Sequence, residues 1–239
     1  MVRRVWLLSG KKFDEQRPEV AIIAIGSVER HGDHLPLGTD TIVAQWIAEK
    51  VAEKVEADLY PPIWYGSCRG LRRFSGTIDV DEEALSKFLE SVLSEIARQG
   101  YKLIVVVNGH GGNSHVVRVV ARRVAYTYNI GVLVVDWWRD LAPQVREKLF
   151  AYPGHAGEDE TSIMLYLHPE SVDLDQVSDH TPSLPTLSLY SPKMDEKLYP
   201  HAVLGKASLA SAEKGRIWLE AMVEHLADMI RKSLEILKS

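Results

Sequence analysis

The sequence predicts an α/β fold: one domain spanning residues 1–239, with a mostly parallel sheet and helices on both faces. Two observations carry this reading. Short apolar runs of branched residues alternate with longer segments whose apolar residues recur at helical spacing, the pattern of buried strands joined by crossover helices. No internal repeat, low-complexity tract or linker divides the 239 residues, a length that one such domain accommodates.

The first strand is expected at 20–25 (VAIIAI), a near-continuous apolar run. A helix follows from Asp40 to Val55, where Ile42, Val43, Trp46, Ile47 and Val51 share one face. Leu59 to Trp64 is a second strand candidate, weakened by Pro61 and Pro62, which have no N–H for a ladder. Asp81 suits the N-cap of a helix running to about Gln99, and Gly100 suits its stop. The run LIVVV at 103–107 is the clearest buried strand. A helix from about Ser114 to Tyr128 and a strand at 132–135 follow. Residues 157–168 and 209–237 read as two more helices. The stretch 170–204 is rich in Ser, Pro and Asp and reads as a long surface loop, a lid or an oligomer contact.

Composition narrows the function. Hydrophobic residues at 46% and charged residues at 26% exclude disorder as the main state. With 28 Lys and Arg against 33 Asp and Glu, the net charge of −5 argues against a nucleic-acid partner. Cys68 is the single cysteine, so no intrachain disulfide forms. No apolar run approaches the roughly 18 residues of a membrane span, and the first residues lack a signal core. The expected setting is the cytoplasm, away from membranes.

Three segments gather the unusual polar residues, and each follows a strand or opens a helix, where a doubly wound sheet places its ligand site. Residues 26–40 (GSVERHGDHLPLGTD) hold Glu29 and His31, two apart and so on one face of an extended chain. Asp40 stands at the mouth of the next helix, as a cap or as a site residue, and His34 is a further candidate. Residues 107–113 (VNGHGGN) flank His110 with Gly111 and Gly112, where backbone can approach a ligand closely. Residues 154–162 (GHAGEDETS) place His155, Glu158, Asp159 and Glu160 at a helix start. Glu158 and Asp159 read as surface charge complementing the helix dipole. Mixed carboxylates and imidazoles suit Zn²⁺, Mn²⁺ or Fe²⁺. Such ions lower the pKa of a bound water and polarise a carbonyl, and a nearby histidine can move the proton to a leaving nitrogen.

Rival readings are weaker. The glycines around His110 could cradle a phosphate, but they match neither the P-loop nor the dinucleotide pattern. No G-x-S-x-G elbow supports a serine hydrolase. Cys68 has no adjacent base and reads as incidental. The remaining histidines, His115, His168, His180, His201 and His225, are expected to be mostly without a chemical role.

The strings G-S-x-E-x-H-G-x-H-L-P-x-x-T-D, N-G-H-G-G-N and H-A-G-x-x-E-T-S, with ASLASAEKG at 207–215, resemble the creatininase family of metal-dependent amidohydrolases. The matches run from about residue 20 to 220. The resemblance implies an α/β fold, two divalent ions per chain and a ring-like homo-oligomer, often a hexamer. It implies that one ion takes Glu29, Asp40 and His110 and the other takes His31, Asp40 and Glu160, with Asp40 bridging. It makes a metal-held water the nucleophile and His155 the proton shuttle, with Glu160 completing the centre.

Two departures bear on the substrate. Creatininase carries a metal-binding Glu two residues after the second segment's His; here that position is Gly112. The family loop G-x-S-x-E-H-x-x-F-P-G-T aligns with GSCRGLRRFSGT at 66–77, where Leu71 replaces the His and Ser75 the Pro. Both argue against creatinine. The same loop adds Arg69, Arg72 and Arg73, either a grip for a phosphate or carboxylate or a solvated basic loop. Of Trp137 and Trp138, one is expected in the core, and Trp137 is taken to face the substrate. The expected activity is hydrolysis of a linear or cyclic amide C–N bond in a small molecule. Alternatives are a formamide deformylase acting on a ribosylaminopyrimidine phosphate, a peptidase, and a metal-stabilised oligomeric binding protein.

Overall fold

A computed structural model describes residues 2–184 and 189–238. In chain order the elements are β1 (Arg3–Arg4), α1 (Gly10–Glu15), β2 (Val20–Ile25), α2 (Thr39–Val55), β3 (Asp58–Leu59), α3 (Glu82–Arg98), β4 (Leu103–Asn108), α4 (Ser114–Tyr128), β5 (Gly131–Asp136), α5 (Trp137–Asp140), α6 (Pro143–Leu149), α7 (Glu158–Leu167), β6 (Asp179–His180), α8 (Pro192–Leu198), β7 (Gly205–Lys206) and α9 (Ala212–Lys238). The main sheet has the order β1-β3-β2-β4-β5, with every pair parallel. The expected α/β fold is therefore observed.

Alternation along the strands sorts the core onto two faces. Val20, Ile22 and Ala24 of β2 and Leu103, Val105 and Val107 of β4 pack under α2, α7 and α9. Ala21, Ile23, Ile104 and Val106 point the other way, under α3 and α4. In α3 the residues Leu85, Leu89, Leu93 and Ile96 recur at helical spacing and form its buried stripe. Asp81 caps this helix, its side chain accepting from the Glu83 and Ala84 N–H groups, a contact that contributes about 1 kcal/mol. Gly100 follows at φ +92°, a conformation that ends the helix cheaply.

Two elements differ from expectation. Only Asp58–Leu59 pairs as strand where 59–64 was expected; Ile63 keeps a single bridge to Ile25, because Pro61 and Pro62 donate nothing. The segment 170–204 is not one bare loop. It holds β6, which pairs antiparallel with β7, and α8, capped by the Ser191 side chain. Residues 185–188 of that stretch lie outside the described residues.

β2 and β4 are paired from Val20↔Leu103 to Ile25↔Asn108. The chain leaves β2 toward β3 on one side and leaves β4 toward β5 on the other. The crevice beyond their carboxyl ends is the switch point of the sheet.

Candidate metal centre and active site

That crevice receives all three polar segments. Glu29 and His31 extend from β2, Asp40 sits in the first turn of α2, His110 follows β4, and Glu160 lies in the first turn of α7. Their relative exposures run from 0% for His31 to 9% for His110 and Glu160. Charged groups this deep need partners or an ion, because desolvation costs several kcal/mol for each.

Asp40 is the centre of the arrangement. Its Oδ1 lies 2.9 Å from His31 Nε2, and its Oδ2 lies 2.9 Å from His110 Nδ1. Glu160 Oε2 is 3.6 Å from His31 Nε2. Glu29 Oε1 is 3.2 Å from His110 Nδ1. One carboxylate thus faces two imidazoles, each with its own second carboxylate. His155 closes the cluster: its Nδ1 lies 3.6 Å from Glu29 Oε1, and its ring centroid lies 4.3 Å from that of His31, the planes tilted by 40°.

The charges follow. Burial opposes ionisation of Asp40, but His31 and His110 outweigh it and hold the carboxyl far below its usual range. Glu29 is lowered in the same way, against burial, chiefly by His110. Burial also opposes charge on His31, but Asp40 and Glu160 raise it to about 10. His110 is likewise raised, by Glu29 and Asp40. Burial lifts Glu160 to about 8 and lowers His155 to about 4. His155 is therefore neutral near pH 7. Its Nε2 donates to the Arg30 carbonyl at 2.9 Å, which leaves the Nδ1 lone pair facing the carboxylates.

A supporting layer fixes these groups. Ser27 Oγ donates to Asp40 Oδ2 at 2.6 Å. Asn108 takes the His110 N–H and donates to its carbonyl. Asn113 bridges the Gly26 carbonyl and the Ser67 N–H. Gly112 allows the closest approach: a Cβ there would lie 1.9 Å from the Ser67 carbonyl oxygen, which accepts from His110 Nε2 at 2.7 Å. The loop has no room for an acid at residue 112, and Glu160 reaches the same cluster from α7 instead.

Other expectations meet mixed outcomes. Glu158 and Asp159 are not surface charge. Both are 1% exposed: Glu158 binds the Ala151 and Tyr152 N–H groups and Lys214, and Asp159 binds Arg146 and the Gly154 N–H. They fasten the loop that carries His155. His34 is buried and bonds Thr161 Oγ1, away from the cluster.

A cavity of about 1170 Å³ opens over the centre, lined among others by Glu29, Asp40, His110, His155 and Glu160. Arg69, Gly111 and Gly112 line it. Arg73 lines it too while donating to the carbonyls of Gly70, Asp195 and Tyr199, and Arg69 reaches Asp79 at 3.1 Å; Arg72 is the arginine of the cluster that does not line the cavity. Trp137 is corrected. It is fully buried, 5.3 Å from the Trp218 ring, because it packs inward against α9; Trp138 lines the cavity instead.

Two residues gain a place that the sequence does not give them: Tyr199 is no candidate there, and Cys68 reads as incidental. Tyr199 lines the cavity and meets the His155 ring edge-on at 5.4 Å. Cys68 reaches the cluster from the loop after β3. Neither belongs to a His/acid string, so only the fold reveals them.

A family profile described as "Creatininase: Creatinine amidohydrolase" matches residues 8–230. The chain belongs to the creatininase family. Creatinine amidohydrolase of Pseudomonas putida is 31% identical over 232 residues, covering 89% of each chain. A 3-dehydro-scyllo-inosose hydrolase of Thermotoga maritima is 30% identical over 244 residues, 91% of this chain and 78% of that one. A solved creatininase described as its Mn form has a TM-score of 0.84 at 28% identity, covering 97% of this chain and 98% of that one. A creatininase variant described as Zn–Zn type has a TM-score of 0.82 at 29% identity, with the same coverage. Like its relatives, this member of the creatininase family is a hydrolase.

The donor set fits manganese and zinc, the metals named for those two solved creatininases. Oxygen and imidazole donors of His31, Asp40 and Glu160 lie within 4.8 Å of one another, the span of a single coordination sphere. Glu29 and Asp40 each approach His110 Nδ1, at 3.2 Å and 2.9 Å.

Proposed function

We propose that the protein hydrolyses the C–N bond of a linear or cyclic amide in a small molecule. In this reading it uses two divalent ions held by Glu29, His31, Asp40, His110 and Glu160. The observation that supports it is the Asp40 carboxylate, with one oxygen on His31 and the other on His110, each backed by its own glutamate. Bound there, a metal pair would supply a water of lowered pKa and polarisation of the amide carbonyl.

The remaining work falls to the chain. His155 is neutral, is oriented by the Arg30 carbonyl and presents Nδ1 to the cluster. It accepts the proton shed as water adds to the carbonyl carbon and returns it to the leaving nitrogen, so the C–N bond breaks and an amine departs. Glu160 is a ligand, and its carboxyl gives up its proton when the ion binds. Gly111 and Arg69 contact the substrate, and Trp138 offers it a flat wall. The protein works as a homo-oligomer in the cytoplasm, and native mass spectrometry counts its subunits.

Elemental analysis of protein purified without chelator tests the centre, followed by a panel of cyclic, linear and formyl amides. Close to two ions per chain, with turnover abolished by chelation and restored by Zn²⁺ or Mn²⁺, is the expected result. Protein that takes up no ion on reconstitution would overturn it and leave a binding protein as the better account.

A further inference from the structure

Cys68 has no base near it in the sequence, and its thiol donates to the Gly66 carbonyl at 3.6 Å, yet folding carries it to the cluster. Its side chain is buried, at 2% exposure, on the wall of the cavity. Its Sγ, a carboxylate oxygen of Glu29 and a ring nitrogen of His110 lie within 4.8 Å of one another. A buried thiol ordinarily behaves as a small apolar side chain among others. This one instead has a carboxylate and an imidazole beside it and a third polar group, Asp79, on its backbone.

The sulfur is also held in place. The Cys68 N–H donates to Asp79 Oδ1 at 2.9 Å, and the preceding Ser67 N–H donates to Asn113 Oδ1 at 3.0 Å. The Ser67 carbonyl accepts from His110 Nε2 at 2.7 Å. One short stretch of backbone therefore orients the His110 ring and presents the thiol next to it. The Gly112 contact adds to this: a side chain at 112 would displace Ser67, and Cys68 with it.

We propose that Cys68 is a sulfur ligand to the divalent ion held by Glu29, Asp40 and His110. The inference rests on the metal-centre reading above and extends it. Binding breaks the S–H bond, releases its proton to solvent and donates a sulfur lone pair to the ion. That half then offers a thiolate beside carboxylate and imidazole donors, a mixed set that Zn²⁺ and Co²⁺ accept. The half formed by His31, Asp40 and Glu160 has only oxygen and nitrogen donors, which suit Mn²⁺ as well. The two halves are thus chemically unequal, and a softer ion is favoured on the Cys68 side.

Cobalt substitution tests this without relying on turnover. The full-length protein is loaded with Co²⁺ and its content measured. Visible d–d bands report loading, and a near-ultraviolet sulfur-to-cobalt charge-transfer band reports the Cys68 bond. The wild type is expected to show both; C68S, loaded and folded by circular dichroism, is expected to lose only the second. X-ray absorption of the zinc form is expected to show a sulfur scatterer at about 2.3 Å. Full cobalt loading of the wild type without a charge-transfer band would overturn the ligand and leave the metal centre standing. Failure to take up any cobalt would instead remove the metal centre, and Cys68 as its ligand with it.

Discussion

Gly112 lies against Ser67 so closely that a Cβ at 112 would come within 1.9 Å of the Ser67 carbonyl oxygen. This is the position where creatininase carries an acid. Substituting Gly112→Glu is therefore expected to add no ligand. It should force the Ser67–Cys68 backbone and the His110 ring apart, destabilise the protein by about 1–3 kcal/mol and lower metal content. Thermal melts and elemental analysis of G112E check this. A stable variant with unchanged metal would mean that Glu160 is not the compensating acid.

The bridging role of Asp40 separates it from Glu160. Asp40→Asn removes a charge shared by both halves and is expected to strip both ions. Glu160→Gln touches only the His31 half and is expected to leave about one ion per chain. Metal counts on the two variants distinguish them, and equal losses would speak against the bridge.

His155→Ala is expected to keep the metals and lower kcat by about 10²–10⁴-fold. His155 Nδ1 also lies within ligand reach, in a group with Glu29 and His31. Loss of an ion from the variant would reassign His155 from proton carrier to ligand.

Loading must compete with protons. His31 is raised to about 10 by Asp40 and Glu160 against burial. Because its folded value lies above its usual 6.5, the protonated imidazole stabilises chelated protein at low pH, and that contribution fades as pH rises toward 10. Metal binding needs the neutral ring, so the increase in Tm given by Zn²⁺ should grow with pH over the same window. Paired melts with and without Zn²⁺, at about pH 6 and about pH 9, check the sign. An increment that shrinks with pH would contradict it.

The tandem tryptophans divide by role. Trp137→Ala opens a hole beside Trp218 and is expected to cost about 3–5 kcal/mol of stability. Trp138 is only partly buried against the same core, so Trp138→Ala should cost less stability than Trp137→Ala and raise KM for a planar substrate. Melts and steady-state kinetics on both variants test the division.

Much of this was legible before folding was considered. The short, β-branched runs at 20–25 and 103–107 favour strands buried on both faces, and Asp81 and Gly100 mark the ends of α3 by capping chemistry. Glu29, His31, Asp40, His110 and His155 stood out because acid/imidazole strings beyond strand ends fall where a parallel sheet opens its crevice, and the family resemblance singled out Glu160 from its two acidic neighbours. What remained was decided by contacts distant in sequence. Trp137 and Trp138 are indistinguishable as neighbours; α9, some 80 residues on, buries one and leaves the other to the cavity. Glu158, Asp159 and Glu160 are three consecutive acids, but Lys214 claims the first, Arg146 the second, and only the third turns toward His31. Cys68 and Tyr199 carry no local signal, since their chemistry lies in what the sheet order brings beside them. Local patterns determined the elements and the string of donors because propensity, capping and periodicity act over a few residues. The choice among equivalent neighbours belonged to the tertiary structure, because burial and pairing are settled only when distant segments meet.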